Sequence, residues 1–308
     1  MKIYKLLGSE IDLKYTHPAS STVIRFDKEK ITLALTVRNR FNQSVLIKAV
    51  YYVAKSEVKL GHEMMRLGEQ GTFFESGVSY PYLMHQSNEE KLFFTGWALG
   101  KTVPFYNQIG ISRYDEGSMR FEPTERIPTK IYGDSTSIGI GSVGGVRYNG
   151  THYLYYTSFS RWSGSHEEKH KYTIRGATSE DGIIWRSFSD SGLLNLPLEF
   201  NCVCRPSIVN LDSNRLIMFF SYRTNKGDYK LGLAKSEDAR NWTVDLDNKL
   251  LKSLSNSTQS WFEKGMCYPN AFLIENDFYL FFGGNCYGKD GFGVLHLSTN
   301  KFIDLIIT

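Results

Sequence analysis

Two glutamates occupy equivalent places in a repeated phrase. Glu75 stands in Phe74-Glu-Ser-Gly-Val-Ser-Tyr-Pro81 and Glu263 in Phe262-Glu-Lys-Gly-Met-Cys-Tyr-Pro269, so that Phe, Glu, Gly, Tyr and Pro coincide. Each glutamate lies six residues before its proline, and Asp12 lies six before Pro18. Two convergent carboxylates are what glycosidic cleavage needs, one to protonate the leaving oxygen and one to activate water. Glu75 and Glu263 are therefore the candidate acid and base. An identical repeat equally suits a corner in which a carboxylate caps backbone amides, and either glutamate can serve there. A second group is cationic: His17, Arg38, Arg40, Arg205 and Arg223. Guanidinium groups bind phosphate or carboxylate through paired hydrogen bonds, so four of them on one face point to an anionic ligand. Trp97, Trp162 and Tyr222 offer rings on which a sugar can lie. Tyr268, Asn285 and Tyr287 add further polar and aromatic groups.

These residues need a scaffold that brings distant segments to one place, and the sequence contains one. An apolar, aromatic strand recurs as Ile31-Thr-Leu-Ala-Leu, Leu92-Phe-Phe-Thr-Gly, Tyr153-Leu-Tyr-Tyr-Thr, Ile217-Met-Phe-Phe-Ser and Tyr279-Leu-Phe-Phe-Gly, in steps of 61 to 64 residues. A turn signal rich in Asn, Asp, Gly or Glu precedes each copy, and another short apolar strand precedes each turn. Five copies of a four-stranded antiparallel unit predict an all-β fold, a single five-bladed β-propeller over residues 1–308. The strand Lys2-Ile-Tyr-Lys-Leu-Leu lies outside the first unit and is expected to complete the last and close the ring. In such a ring the start of each innermost strand and the end of each second strand open on the same mouth. That places His17, Glu75, Arg205 and Glu263 with Arg38, Arg40, Trp97, Trp162, Tyr222, Arg223, Asn285 and Tyr287. The segment from Phe159 to Lys171 is long for a hairpin, and its Trp162, His166 and His170 are placed to cover a ligand.

Composition narrows the function. A net charge of +4 is too small to indicate a nucleic-acid partner. With 41% hydrophobic and 22% charged residues the chain is globular and not disordered. No apolar run approaches the ~18 residues of a membrane helix, and the N-terminus lacks the apolar core of a signal peptide. A cytoplasmic protein with no membrane partner is expected. Cys202, Cys204, Cys267 and Cys286 have no zinc spacing and read as reduced thiols. Gly288-x-x-Gly-x-Gly293 lacks the strand-to-helix context of a nucleotide fingerprint and suits a tight turn into a strand. No cofactor or metal is expected.

The combination His17-Pro-Ala-Ser, Glu75-Ser-Gly-Val, Arg205-Pro-Ser, Ser221-Tyr-Arg223, Met266-Cys-Tyr-Pro269 and Asn285-x-Tyr-Gly-x-x-Gly-Phe-Gly293, with the Ser-Glu-Asp-Gly-x-x-Trp run ending at Trp185, resembles a group of bacterial proteins labelled glycosylase-like. The resemblance covers nearly the whole chain. Its wider relatives are the five-bladed glycoside hydrolases and phosphorylases, including glycoside hydrolase families 32, 43 and 130, and it implies that fold and activity on sugars. Family 43 enzymes carry an Asp base in blade 1, an Asp in blade 2 and a Glu acid in blade 3. This chain has His17 in the first place, Ser137 and Gly139 where the blade-3 acid belongs, and Asp134 nearby but out of register. Family 130 phosphorylases use an Asp acid and a basic phosphate cluster, which His17 and the arginines resemble in kind. Three readings follow. The first is a glycosidase acting on an anionic, phosphorylated or nucleotide-activated sugar in bacterial glycan metabolism. The second is a phosphorylase or glycosyltransferase on the same scaffold, and the third a propeller that binds sugar without catalysis.

Overall fold

The computed structural model describes residues 1–11, 14–86, 89–162, 170–224 and 227–307. Three strands open the chain: β1 (Lys2–Leu7), β2 (Glu10–Ile11) and β3 (Tyr15–Thr16). A first antiparallel group follows, β4 (Ser21–Phe26), β5 (Lys30–Asn39), β6 (Ser44–Tyr52) and β7 (Glu57–Glu63). The second is β8 (Gly77–Gln86), β9 (Glu89–Leu99), β10 (Phe105–Asp115) and β11 (Arg120–Pro123). After the short β12 (Ile131–Tyr132) comes the third, β13 (Gly139–Tyr148), β14 (Thr151–Arg161), β15 (Lys171–Ser179) and β16 (Trp185–Ser187). The fourth is β17 (Cys202–Asp212), β18 (Arg215–Arg223), β19 (Lys230–Ser236) and β20 (Thr243–Val244). The last contains β21 (Cys267–Ile274), β22 (Asp277–Gly283) and β23 (Phe292–Ser298), and its fourth strand is β1, paired from Lys2↔His296 to Leu7↔Phe292 with a slip between Lys5 and Leu7. The first strands of the groups touch in the order β4, β8, β13, β17, β21, and β21 returns to β4.

The aromatic doublets explain this packing. Neighbouring residues of a strand point to opposite faces of its sheet, and in each second strand both faces are covered. Phe94 joins the apolar cluster shared with the first group, while Phe93 joins the one shared with the third. Tyr156 and Tyr155 divide in the same way between the second and fourth groups, as do Phe220 and Phe219 between the third and fifth. Phe282 faces the fourth group and Phe281 the first. Each interface between neighbouring groups therefore has its own core, and a strand buried on both sides reads as an unbroken apolar run.

Three short helices were not legible in the strand-dominated sequence. They are α1 (Lys249–Ser255), α2 (Asn285–Gly288) and α3 (Thr299–Ile307). Helix α1 begins at Asn248, whose side chain accepts a hydrogen bond from the Leu250 amide at 3.0 Å, and it buries Leu250, Leu251 and Leu254. Helix α3 buries Phe302 and Ile306 against the same core as α1. Both are amphipathic covers of the fourth and fifth groups, too short to stand without that packing. Gly288 and Gly291 take φ of +90° and +149°, the backbone freedom that the turn into β23 requires.

Candidate active site

Every first strand is interrupted at one equivalent point. In β8, β13, β17 and β21 the register slips by one residue, between Ser79 and Tyr82, Gly141 and Gly144, Cys204 and Ser207, and Cys267 and Asn270. In the first group the break falls between β3 and β4, which both pair with β5. At each break one residue other than glycine adopts a left-handed backbone: His17 (φ +51°), Tyr80 (+50°), Ser142 (+35°), Arg205 (+54°) and Tyr268 (+58°). Each such residue costs of order 1–3 kcal/mol and persists only where its surroundings hold it. Here the holders are hydroxyls. The amides of Tyr80, Ser142 and Tyr268 donate to Thr36 Oγ1 (3.2 Å), Thr95 Oγ1 (2.8 Å) and Ser221 Oγ (2.7 Å), each on the second strand of the preceding group. The Arg205 amide donates to Ser142 Oγ at 3.1 Å, and that hydroxyl also bonds Thr157 Oγ1 on β14. The bulges re-aim side chains that a regular strand would send into the interfaces between groups.

Above this ring lies a cavity of about 420 Å³. His17, Tyr80, Ser142 and Tyr268 line it, with Arg38 and Arg223 from the ends of β5 and β18. Two files of rings form the walls and meet at Tyr80. One runs through Trp97, Phe105 and Trp162 with centroids 6.2, 4.7 and 4.8 Å apart. The other runs through Tyr268, Tyr229 and Tyr287 at 5.1, 5.4 and 5.6 Å. Arg223 is only 4% exposed. Its guanidinium lies 5.2 Å over the Tyr229 ring and donates to the Tyr172 hydroxyl at 3.3 Å. Tyr172 and Tyr229 bond each other through their hydroxyls. Burial pushes both phenols well above their ordinary pKa, so both stay protonated. Burial, with Arg38 and Lys289 nearby, lowers the pKa of His17 below its usual 6.5 and leaves the ring neutral at pH 7. Among the described residues, no carboxylate lines the cavity.

Of the residues expected from sequence, the structure brings together His17, Arg38, Trp97, Arg223, Tyr268 and Tyr287 at the cavity, with Trp162 packed edge-on against Phe105. It does not bring Glu75 and Glu263 there. Glu75 accepts the Gly71 amide at 2.6 Å and closes its own turn. Glu263 is exposed beside α1 in a separate cleft. Their phrase belongs to the loop that approaches a first strand, so six residues ahead of the proline lies outside the ring. Arg40 stacks on Phe41 away from the cavity lining. Tyr222, next to Arg223 on the strand, points to the opposite face and packs on Phe200 and Phe220. Asn285 is consumed locally, accepting the amides of Lys264 and Gly265 and donating to the Ser260 carbonyl and to Asp290. Arg205 turns down the central channel, where it donates to the carbonyls of Ser21 (2.6 Å), Pro81 (2.8 Å) and Val143 (3.2 Å). Asp134 is locked by Arg175 at 2.9 Å, Tyr156 at 2.8 Å and Ser137. Burial raises its pKa, but hydrogen bonds from Ser137, Tyr156 and the Thr136 amide lower it by more, so it remains a carboxylate below the usual range. Asp12 and His166 lie outside the described residues. Sequence reasoning missed Tyr80, Asn107, Tyr172 and Tyr229. Tyr80 had a signal, since it precedes Pro81 as His17, Arg205 and Tyr268 precede theirs. The others come from third strands and their approaches, which the mouth argument did not include.

No protein-family model matches the chain. The Mycobacterium tuberculosis (strain CDC 1551 / Oshkosh) protein named "Uncharacterized protein MT1551" is 28% identical to it over 232 residues, 75% of each chain. A solved structure described as "Glycoside hydrolase" is similar over 95% of this chain and 91% of its own, with a TM-score of 0.69 at 12% identity. The beta-1,2-mannobiose phosphorylase from Listeria innocua, in complex with beta-1,2-mannobiose, is similar over 99% of both chains, with a TM-score of 0.65 at 11% identity. At these identities the likeness is one of fold.

Proposed function

We propose that this chain is a five-bladed β-propeller, closed by β1, that transfers a glycosyl group between a phosphate and a hydroxyl acceptor. The donor is a sugar 1-phosphate or a nucleotide-activated sugar, substrates that place the enzyme in the cytoplasm. The observation that carries this reading is a cavity with two arginines, a neutral histidine and, among the described residues, no carboxylate. Cleaving an ordinary glycoside requires an acid for its poor leaving group. A singly protonated phosphomonoester or a nucleoside diphosphate leaves as a stable anion, and arginine neutralises it without further proton transfer. The anomeric C–O bond breaks with its electron pair going to the phosphate oxygen held by Arg223 and Arg38. The acceptor oxygen bonds to the anomeric carbon and gives its proton to His17. Phosphorolysis is the same reaction reversed, with protonated His17 returning the proton to the departing oxygen. The fold likeness to a phosphorylase and a glycoside hydrolase supports the sugar. The same lack of a carboxylate also favours a second reading, a sugar-binding propeller without turnover.

The test is a mass-spectrometric product screen with sugar 1-phosphates and nucleotide sugars, and with neutral disaccharides in the presence and absence of phosphate. Products are expected from the activated sugars, and from disaccharides only with phosphate. Cleavage of neutral disaccharides without phosphate would overturn the proposal. No product, with ligands still raising the melting temperature, would establish the binding module. His17→Asn, a residue that tolerates the left-handed backbone, is expected to lower kcat by about 10²-fold or more with donor binding retained. Wild-type transfer should fall on the acid side, as pH drops through the lowered pKa of His17 and the ring gains its proton. Because the folded pKa is the lower one, wild-type stability also declines as pH falls from 6.5 toward it, and His17→Asn lacks that decline. An acid limb of the pH profile that is the same in His17→Asn as in wild type would remove His17 from the reaction.

A further inference from the structure

Asn107 is 3% exposed, lies on β10 and lines the cavity. It stands two residues beyond Phe105 and so shares that ring's face. Polar groups this deeply buried are nearly always hydrogen-bonded. Among the described residues, however, the side-chain amide of Asn107 has no hydrogen-bond partner, and neither of its polar atoms is sealed from the cavity. Its seat is made for it. A Cβ on Gly139 would stand 3.0 Å from Asn107 Oδ1, and one on Gly141 2.7 Å from Nδ2, so the glycines of β13 leave the room in which the amide sits. The hydroxyls of Ser142 and Thr157 line the cavity with it. The arginines come from other groups, Arg38 at the end of β5 and Arg223 at the end of β18.

We propose that Asn107 reads the glycosyl end of the donor, its amide donating to one ring hydroxyl and accepting from the next, while the arginines hold the phosphate. An amide presents two donors and an acceptor. Its complement is a group that both gives and takes, such as a vicinal diol; a phosphate only accepts. The Phe105 ring on the same face suits the apolar side of the sugar. This rests on the glycosyl-phosphate reading above and adds to it an orientation and a specificity residue.

The test compares inorganic phosphate with the 1-phosphates of mannose, glucose and N-acetylglucosamine, by calorimetric titration of the wild-type chain and of Asn107→Leu and Asn107→Ala. The expected result is that at least one sugar phosphate binds wild type ten- to hundredfold tighter than phosphate, roughly the worth of buried hydrogen bonds. In both variants that preference should vanish while phosphate affinity stays within about threefold. Melting temperatures should also stay near wild type, because the amide supports nothing in the protein. A preference that survives in the variants overturns the role of Asn107 and leaves the proposed function standing. A wild type that binds no sugar phosphate better than phosphate overturns both. A large fall in melting temperature for Asn107→Leu would make the residue structural and also overturn the inference.

Discussion

Arg205→Met is expected to lower the unfolding free energy by about 3–5 kcal/mol. Arg205 is 3% exposed. From β17 it donates to carbonyls of β4, β8 and β13, at 2.6, 2.8 and 3.2 Å, and so ties four of the five first strands together. Its charge has no carboxylate partner among the described residues, and burial lowers its pKa to about 10. Buried ionic groups, paired ones above all, are often replaced by apolar side chains at little loss. That expectation does not apply here, because methionine leaves three inward carbonyls with no donor, at about 1–3 kcal/mol each. Recovery of the desolvation cost of the charge offsets part of the sum. Equilibrium urea unfolding measures the difference; the slope should be unchanged and the midpoint lower. A loss under about 1 kcal/mol would mean that the three contacts are not what fixes the channel. Arg205→Lys is expected to fall between the two, since one ammonium cannot reproduce the planar fork.

The fold was legible because its energetics repeat. Four of the second strands send one large ring to each side, and the doublets Phe93-Phe94, Tyr155-Tyr156, Phe219-Phe220 and Phe281-Phe282 do so at a nearly constant period, while the first group packs aliphatic Leu33 and Ala34 in the same places. The site was half legible, for a geometric reason. The mouth argument counts residues to the end of a strand but not their parity, and parity separates Arg223 in the cavity from Tyr222 in an apolar interface. It is also blind to bulges. His17 and Arg205 both precede a proline at an equivalent break, yet one faces the cavity and the other the channel. The glutamates misled because their repeat is real but structural at Glu75, where the carboxylate closes a turn on the Gly71 amide. Asn107 left no trace in the sequence, since an unpartnered amide becomes visible only when its neighbours are placed.

Arg223→Lys is expected to lower kcat/KM for a phosphate-bearing donor by about 10²–10³-fold, the usual consequence of losing a preorganised donor at a developing anion. The substitution keeps the charge, so the loss measures geometry. In wild type the guanidinium lies over the Tyr229 ring, its Nη2 donates to the Tyr172 hydroxyl, and its Nη1 donates to the Thr224 carbonyl only at 3.3 Å. These contacts orient the fork but are long, and leave donor capacity for a ligand. An ammonium on a flexible stem has neither the fork nor the planar stacking surface. Stability should change little, because no short protein hydrogen bond is broken. Arg38 provides the comparison: it lies at the mouth and is held by Asn42 at 2.9 Å. Arg38→Lys is expected to lower kcat/KM by less than about tenfold, and most of that loss should disappear at high salt, as for an exposed charge. Steady-state kinetics of both variants at low and high ionic strength separates the two roles. If Arg223→Lys kept turnover within about threefold of wild type, the phosphate would not sit at Arg223. If Arg38→Lys suffered the larger, salt-independent loss, the anion would belong at Arg38 and not at Arg223.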